Sequence, residues 1–249
     1  MCIRDRLLLA LAGGVSAVAV VAQDRVIALE QLRSGKDFLS EDLRALQQDA
    51  FANPGMLWVE RGAKLWNTPA GQSGLSCAGC HQDASLSMRG IVASYPKLDE
   101  KSGELLNVEA RINQCRDERQ QAEPLAWESE DLLSLSSYVA RWSDGYKTNV
   151  VIAGAARKPF EAGRGLYYRR LGQMNLACAQ CHEANWGKQL LAETISQGHP
   201  NAYPAYRMEW QGMGSLERRL RACLSGVRAE MYPFGAPEYR ELALFLAWR

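Results

Sequence analysis

The chain has 249 residues, of which 47% are hydrophobic and 23% are charged, and its formal net charge is +1 at pH 7. These values are typical of a globular protein, and the length allows one large domain or two small ones. A net charge so close to zero gives no indication of binding to nucleic acid or to a membrane surface, and we expect no nucleic-acid partner.

The N-terminus has the features of an export signal. Arg4 and Arg6 precede an apolar run over residues 7–21, and small residues at 20–22 offer a cleavage site before Gln23. The run is short for a membrane span, which needs roughly 20 residues, and an uncleaved membrane anchor is the alternative. We therefore predict that residues 1–22 form a signal peptide and that the mature protein is periplasmic.

Two copies of a Cys-x-x-Cys-His motif carry the strongest chemical signal, Cys77-Ala-Gly-Cys-His81 and Cys178-Ala-Gln-Cys-His182. Cysteines at this spacing put both thiols on one face of a helical turn, where they can add to the two vinyl groups of a haem. The histidine that follows is the proximal iron ligand. A single copy could be a redox or zinc pair, but two copies in a chain with three histidines predict two covalently attached haem c groups.

The motifs belong to an internal repeat. Each half reads as a short helix with a glycine and an aromatic residue, a loop, the motif, and a closing helix with apolar residues at i, i+3 and i+4. Eight residues recur 101 positions later: Gly62, Leu65, Trp66, Leu75, Cys77, Ala78, Cys80 and His81 become Gly163, Leu166, Tyr167, Leu176, Cys178, Ala179, Cys181 and His182. The closing helices are expected at 130–142 and 237–248, the first opened by Glu130 and Asp131 and the second by Pro237 and Glu238.

Two helices that bracket an attachment motif are the plan of a small cytochrome c domain. We therefore predict a mostly α protein made of two tandem cytochrome c-like domains with an N-terminal helical extension and few strands. Domain 1 would hold haem 1, and domain 2 would hold haem 2 and the active site. The expected boundaries are 23–56 for the extension, 57–142 for domain 1, 143–159 for a linker and 160–249 for domain 2. Residues 187–214, rich in Gly, Pro and Tyr, are expected to form an ordered loop over the second haem.

The distal iron ligands follow from a count of the remaining residues. With His81 and His182 used as proximal ligands, His199 is the only histidine left, and we expect it to be structural. Distal ligands must then come from Met, Cys or Lys, or the sites stay open. The methionine candidates are Met88, Met208, Met213 and Met231, and no pair of them recurs between the halves.

Two further cysteines do recur between the halves. Cys115 and Cys223 each lie between a motif and a closing helix, and each follows an arginine by four residues, Arg111 and Arg219. At this spacing on a helix the guanidinium and the thiol share a face, which favours a thiolate ligand to iron. The alternative is a disulfide between Cys115 and Cys223 that links the two halves. A helix is expected to begin at Ser215, just before Arg219.

At this point the chain resembles the SoxA family, the dihaem subunits of the SoxAX cytochrome (L-cysteine S-thiosulfotransferase) of bacterial sulfur oxidation. The similarity covers nearly the whole mature chain. The segments that carry it are Tyr95-Pro-Lys, Arg111-Ile-Asn-Gln-Cys-Arg116, Glu118-Arg-Gln, Ser196-Gln-Gly-His-Pro200, Tyr206-Arg-Met-Glu-Trp210 and 218–230, Arg-Arg-Leu-Arg-Ala-Cys-Leu-Ser-Gly-Val-Arg-Ala-Glu.

The resemblance implies two His/Cys haems, with Cys115 on the first iron and Cys223 on the second. It also implies that Cys223 is the reacting sulfur, found in the family as a persulfide or a thiosulfonate-like adduct. The implied reaction joins thiosulfate to a cysteine of the carrier protein SoxYZ and releases two electrons. A monohaem subunit, SoxX, and a cytochrome c acceptor are the implied partners. Thiosulfate is a dianion, and Arg219 is the residue expected to bind it.

Two other functions stay open from the sequence. A thiosulfate dehydrogenase, which couples two thiosulfates to tetrathionate, also uses a His/Cys haem. A plain dihaem electron carrier would have Met/His haems and a structural disulfide between Cys115 and Cys223. Products formed without SoxYZ would separate the first from the leading hypothesis, and a thiol count would expose the second.

Overall fold

The computed structural model describes residues 25–249, so the predicted signal peptide at 1–22 lies outside the described residues. About half of the described chain is helical, and the strands are two or three residues long. The α-helices are α1 (Glu41–Gln48), α2 (Met56–Asn67), α3 (Cys77–His81), α4 (Ala84–Ser87), α5 (Val108–Cys115), α6 (Glu130–Arg141), α7 (Arg157–Tyr168), α8 (Cys178–His182), α9 (Leu216–Gly226) and α10 (Pro237–Trp248). The strands are β1 (Lys97–Leu98), β2 (Leu105–Leu106), β3 (Gln189–Leu190), β4 (Glu193–Thr194), β5 (Ala205–Arg207) and β6 (Gly212–Gly214).

Each half is built on one pair of packed helices, α2 with α6 and α7 with α10. The repeated glycines explain how closely the helices of each pair approach. A Cβ atom on Gly62 would lie 2.1 Å from the carbonyl oxygen of Ser134, and one on Gly163 would lie 1.9 Å from that of Glu241. Only glycine fits at either crossing, which accounts for the recurrence of this residue in the repeat.

The closing helices begin as the sequence predicts. Helix α6 follows Ser129, whose side chain accepts a hydrogen bond from the backbone N–H of Leu132, and it carries Glu130 and Asp131 in its first turn. Helix α10 has Pro237 at its start, where the missing N–H costs no hydrogen bond. The predicted closing helices are therefore confirmed, and each begins at the predicted residue.

Two hydrophobic cores form around these helix pairs. The first contains Trp66, Ala84, Met88, Leu135 and Val139. The second contains Phe160, Tyr167, Leu244, Phe245, Leu246 and Trp248, together with Leu105 from the first half of the chain. Because Leu105 is buried in the second core, the two halves are packed against each other.

Short antiparallel hairpins precede the helices that carry Cys115 and Cys223. Strand β1 pairs with β2, Lys97 opposite Leu106, and β5 pairs with β6, Ala205 opposite Gly214. These residue pairs are related by a shift of 108 positions, as are Cys115 and Cys223, whereas the attachment motifs are related by 101. The second half therefore has seven more residues than the first between its motif and its hairpin.

A third hairpin, β3 with β4, lies in this longer connection. The sequence predicts only a loop over 187–214, and the structure places two hairpins there. Strands of two or three residues leave no alternating pattern in the sequence, so composition alone could not reveal them.

Segments outside the helix pairs also pack on the second half. Val150 and Ile152, in the predicted linker, pack against the second core. In the extension, the backbone N–H of Arg33 donates to Gln197 Oε1 at 2.8 Å, and Phe38 packs edge-on against Trp186 with ring centroids 6.3 Å apart. Helix α1 and two 3₁₀ turns are the helical elements of residues 25–55.

The mostly α fold with few strands is confirmed over the described residues. No helix within residues 25–249 is both long enough and apolar enough to cross a membrane. The domain boundaries stay a prediction. Helix α7, which opens the second half, begins at Arg157, three residues before the expected boundary at 160.

Candidate haem and active site

Each attachment motif forms a single short helix with a defined start. Ser76 accepts a hydrogen bond from the backbone N–H of Gly79 at 3.0 Å, which caps α3. In α8 the side chain of Gln180 turns back and accepts from the backbone N–H of Ala177 at 2.8 Å. Both turns hold the two motif cysteines on one helical turn, as haem attachment requires.

At the first motif, Trp66 fixes the end of helix α3. Its indole N–H donates to the carbonyl oxygen of Gln82 at 3.0 Å, and its ring lies 5.7 Å from the ring of His81. A cleft lined by Leu65, Leu135 and Leu125 opens beside Cys77. An apolar cleft next to an attachment cysteine suits the flat, apolar face of a haem.

Cys115, the last residue of α5, faces this first motif. Burial raises the pKa of the Cys115 thiol, and a negative charge on nearby Cys80 would raise it further, while Arg111 opposes the shift. The pKa of Cys77 is raised in the same way, first by burial and then by the proximity of Cys115. The three sulfur atoms therefore share one side of the first half.

At the second motif, a hydrogen bond selects which nitrogen of His182 is available. Its Nδ1 lies 2.8 Å from the carbonyl oxygen of Ser196, which can only accept, so Nδ1 carries the proton. Burial lowers the pKa of His182, which keeps the ring neutral. Nε2 is then left with a lone pair, which is the form that binds iron. A Cβ on Gly198 would lie 3.0 Å from this ring, so the approach of the chain depends on glycine there.

Arg249 binds the backbone on either side of the His182 ring contact, through carbonyl oxygens of two segments. Its guanidinium donates to the carbonyl oxygens of His182 at 2.9 Å and Gln197 at 2.6 Å. Its Nε–H pairs with Glu183 at 3.1 Å, and the Arg249 side chain is only 2% exposed. His199 belongs to the same buried network through Gln197, and burial lowers its pKa to about 4. His199 is thus neutral and structural.

Cys223 lies on α9, facing the second motif. The residue is exposed at the surface, yet neighbouring elements crowd it enough for burial to raise the pKa of its thiol. A side chain in the wall of an open cleft can be both accessible to solvent and surrounded by protein atoms. The positive charges of Arg219 and Arg207 oppose the shift and favour the thiolate. Burial and, after it, a negative charge on nearby Cys223 raise the pKa of Cys178 to about 11.

The alternative disulfide is not formed. None of the six cysteines within residues 25–249 is paired with another, and Cys115 and Cys223 each lie near a cysteine of their own motif. The residues present therefore fit two haem groups: two attachment cysteines, a histidine and a facing thiol in each half. The methionines provide no such pair, since Met88 and Met213 are buried in the protein interior whereas Met208 and Met231 are exposed.

Two arginines and one carboxylate surround the mouth of the Cys223 site. The carboxylate of Glu193, on β4, accepts one hydrogen bond from each arginine. Oε1 accepts from Arg207 Nη2 at 2.6 Å, and Oε2 accepts from Arg219 Nη2 at 3.1 Å. Arg207 also contacts Tyr203, at 3.4 Å, and Glu209. The equivalent region of the first half differs, because Arg111 pairs there with Asp99 at 2.8 Å.

The other arginines of α9 have structural contacts. Arg218 lies over the ring of Trp210, 4.6 Å from its centroid, and Arg221 lies 4.4 Å from the centroid of Phe234 while it donates to the carbonyl oxygen of Tyr232. Of the arginines on this helix, Arg219 is the one that pairs with Glu193. Helix α9 follows Ser215, whose hydroxyl accepts from the backbone N–H of Arg218 at 3.1 Å.

Sequence reasoning missed three residues around the site, namely Glu193, Arg207 and Arg249. Arg207 lies inside a segment that carries the family resemblance, but without the strand register no role could be given to it. The shift of 108 positions between Asp99 and Arg207 is the signal that could have revealed it. Glu193 and Arg249 contact the site across long stretches of chain, and no local pattern marks them.

Comparison with known proteins places the chain in a family. A family model described as SoxA/TsdA, cytochrome c domain, matches residues 61–148. The L-cysteine S-thiosulfotransferase subunit SoxA of Pseudaminobacter salicylatoxidans is 42% identical over 217 residues, which cover 87% of this chain and 76% of that protein. The subunit of the same name from Rhodovulum sulfidophilum is 36% identical, over 88% of this chain and 77% of that one.

A solved structure agrees with these relatives. The crystal structure of SoxXA from P. pantotrophus contains a chain that is 37% identical, with a TM-score of 0.83 over 88% of this chain and 82% of that one. Sequence and fold thus agree over most of the length of both proteins. The chain belongs to the SoxA family of c-type cytochromes.

Proposed function

We propose that this chain is the dihaem subunit of an L-cysteine S-thiosulfotransferase, which joins thiosulfate oxidatively to a cysteine of the carrier protein SoxYZ. The observation that carries the proposal is the setting of Cys223, which faces the second attachment motif with Arg219 and Arg207 beside it. The enzyme class follows from the family, since the curated relatives are L-cysteine S-thiosulfotransferase subunits. Covalently bound haem c follows from the family and the motifs, and two haem groups are proposed because both halves hold a complete donor set.

The reaction forms one S–S bond, between the terminal sulfur of thiosulfate and the sulfur of the carrier cysteine. The carrier thiolate and the thiosulfate dianion together lose two electrons, and any thiol proton passes to water. The two electrons pass to a cytochrome c acceptor. A haem held by Cys178, Cys181 and His182 would supply one-electron redox chemistry beside Cys223.

The proposed roles of the chain's own residues follow from their positions. Cys77 and Cys80 would hold the first haem, and Cys178 and Cys181 the second. The proposed iron ligands are His81, Cys115, His182 and Cys223. Arg219 would bind the anionic end of thiosulfate one turn away from Cys223, so that the terminal sulfur of the substrate points at the cysteine sulfur.

The proposed partners follow from the reaction and the relatives. The similarity to a chain of a SoxXA crystal structure supports association with the monohaem subunit SoxX. SoxYZ would present the acceptor cysteine, and a cytochrome c would accept the electrons. A periplasmic location is proposed from the export signal at residues 1–22, and covalent haem attachment fits an exported protein.

The test uses the holo complex with SoxX and compares Cys223→Ala with a matched control, Ser225→Ala, two residues further along α9 and also exposed. Cys223→Ala should abolish thiosulfate-dependent modification of SoxYZ, measured by the mass of the carrier, while haem content stays at two per chain. The Ser225→Ala variant should keep both the modification of SoxYZ and the haem content of the parent protein. Retained modification in the Cys223 variant would refute the assignment, and strong tetrathionate formation without SoxYZ would favour the dehydrogenase function.

A further inference from the structure

We propose that Arg207 and Arg219 form a two-arginine clamp for the anionic end of thiosulfate, and that Glu193 occupies this clamp until the substrate displaces it. This inference rests on the proposed function and deepens it. It adds a second binding residue, Arg207, and a competing carboxylate from the chain itself.

The geometry of Glu193 is that of a bound anion. Each of its two carboxylate oxygens receives a guanidinium N–H from a different arginine, at 2.6 Å from Arg207 and 3.1 Å from Arg219. A group with several equivalent oxygens and a negative charge satisfies the same two donors. The sulfonate end of thiosulfate has this chemistry, and guanidinium groups recognise it through paired hydrogen bonds.

The two arginine side chains are more buried than the carboxylate. Their side chains are 21% and 30% exposed, whereas that of Glu193 is 54% exposed. Arg207 ends strand β5, opposite Gly212 on β6, and Arg219 lies on the first turns of α9. Arg219 lies one helical turn before Cys223 on α9, and Arg207 reaches the same Glu193 carboxylate from β5.

The segment that carries Glu193 is a small hairpin with little packing. Strands β3 and β4 have two residues each, and Leu191 at the turn is 96% exposed. Few buried contacts hold such a hairpin, so displacement of its carboxylate costs little free energy. The competition is therefore between an exposed ion pair and a dianion that offers more oxygens to the same donors.

The first half lacks every part of this arrangement except one arginine. Arg111 takes the place of Arg219 and is paired with Asp99, which is 8% exposed and takes the place of Arg207. No hairpin separates the first motif from β1. The clamp thus belongs to the second half alone, beside the cysteine proposed to react.

The test compares Arg207→Gln, Glu193→Gln and Glu209→Gln in the holo complex with SoxX. Thiosulfate binding is measured by calorimetry without the carrier, and KM and kcat are measured with it. Arg207→Gln should weaken thiosulfate binding by about 10- to 100-fold, as expected for a lost charge-assisted hydrogen bond. Glu193→Gln should strengthen it by about two- to fivefold, because an exposed competing pair is removed.

Glu209→Gln is the matched control, since Glu209 contacts Arg207 but does not bridge the two arginines. Equal effects of Glu193→Gln and Glu209→Gln would overturn the displacement step and leave only a general charge effect. Unchanged binding in a correctly folded Arg207 variant, with normal haem content, would overturn the clamp. Normal carrier modification in that variant would leave the proposed function intact. The expected binding shifts without any modification of SoxYZ would instead support the clamp and refute the proposed function.

Discussion

Asp99 and Arg207 occupy equivalent positions of the two halves and carry opposite charges. Each lies at the end of the first strand of its hairpin, and the register of both hairpins is the same after a shift of 108 positions. Asp99 binds Arg111 directly, whereas Arg207 and Arg219 meet only through the carboxylate of Glu193. One half thus neutralises its arginine internally, and the other presents two cations beside Cys223.

Asp99→Asn should destabilise the protein at neutral pH and make its stability less dependent on pH in acid, without changing the KM for thiosulfate. Hydrogen bonds from the backbone of Ser102 and from Arg111 hold the pKa of Asp99 well below its usual range. A lowered pKa in the folded state contributes stability above the unfolded pKa, and this contribution is lost as pH falls through the folded pKa. Urea unfolding at pH 5 and pH 3 should therefore show a smaller loss of stability in the variant.

The control for this prediction is Glu100→Gln, which makes the same charge change on the exposed neighbouring residue. In this control variant the free energy of unfolding should change with pH nearly as it does in the parent protein. An acid dependence that is identical in Asp99→Asn and the parent would show that the Asp99–Arg111 pair is not a source of stability.

Glu109→Gln should stabilise the protein at neutral pH. Glu109 is 8% exposed, and burial raises its pKa to about 7, with a further contribution from the charges of Glu217 and Glu128. Between the unfolded pKa and about 7 the folded state binds the extra proton, so the free energy of unfolding falls as pH rises. The loss amounts to roughly 3 kcal/mol by pH 8.

Thermal unfolding at pH 5 and pH 8 measures this difference. The parent should lose stability over that interval, and Glu109→Gln should lose much less. Burial also raises the pKa of Glu217 to about 7, so Glu217 contributes in the same direction. The stability of the double variant with Glu217→Gln should therefore depend even less on pH. A parent protein that is more stable at pH 8 than at pH 5 would contradict the prediction.

Gly163→Ala should destabilise the second half, while Gly165→Ala on the same helix should not. The added methyl group at Gly163 would meet the backbone of Glu241, and overpacking of this kind costs about 1–3 kcal/mol or more. A Cβ on Gly165 has no atom within 4 Å, and alanine there improves helix propensity by up to about 1 kcal/mol. Urea midpoints of the two variants should move in opposite directions.

Arg249→Ala should destabilise the environment of His182. The change leaves the Glu183 carboxylate, at 3.1 Å in the parent, with Tyr168 as its remaining polar partner and removes the donors to two buried carbonyl oxygens. Loss of one partner of a buried pair costs about 3–5 kcal/mol. A double variant with Glu183→Gln should recover part of the loss, and additive effects in unfolding measurements would show that the pair is not coupled.

The sequence predicts those parts of the protein that depend on local pattern or on the repeat. The closing helices are amphipathic over three turns, and the attachment motifs are contiguous, so both are visible in the sequence. The position of Cys115 and Cys223 follows from the repeat, and the structure turns each thiol toward its motif. The role of these residues in catalysis stays a prediction.

Other parts depend on contacts between distant segments. The hairpins are too short to produce a periodic pattern, and the bridging position of Glu193 arises only when β4 meets β5 and α9. Arg249 reaches His182 across 67 positions of the chain. Such contacts are set by packing of the whole second half, which no local rule of propensity describes.

The seven-residue difference between the halves suggests how the two sites could be exchanged. The hairpin with Glu193 lies within the longer connection, while both arginines lie outside it. Grafting the shorter connection of the first half onto the second would remove the carboxylate and keep Arg207 and Arg219. Under the proposed displacement, the length of one loop would determine whether this centre meets its substrate with a built-in competitor or without one.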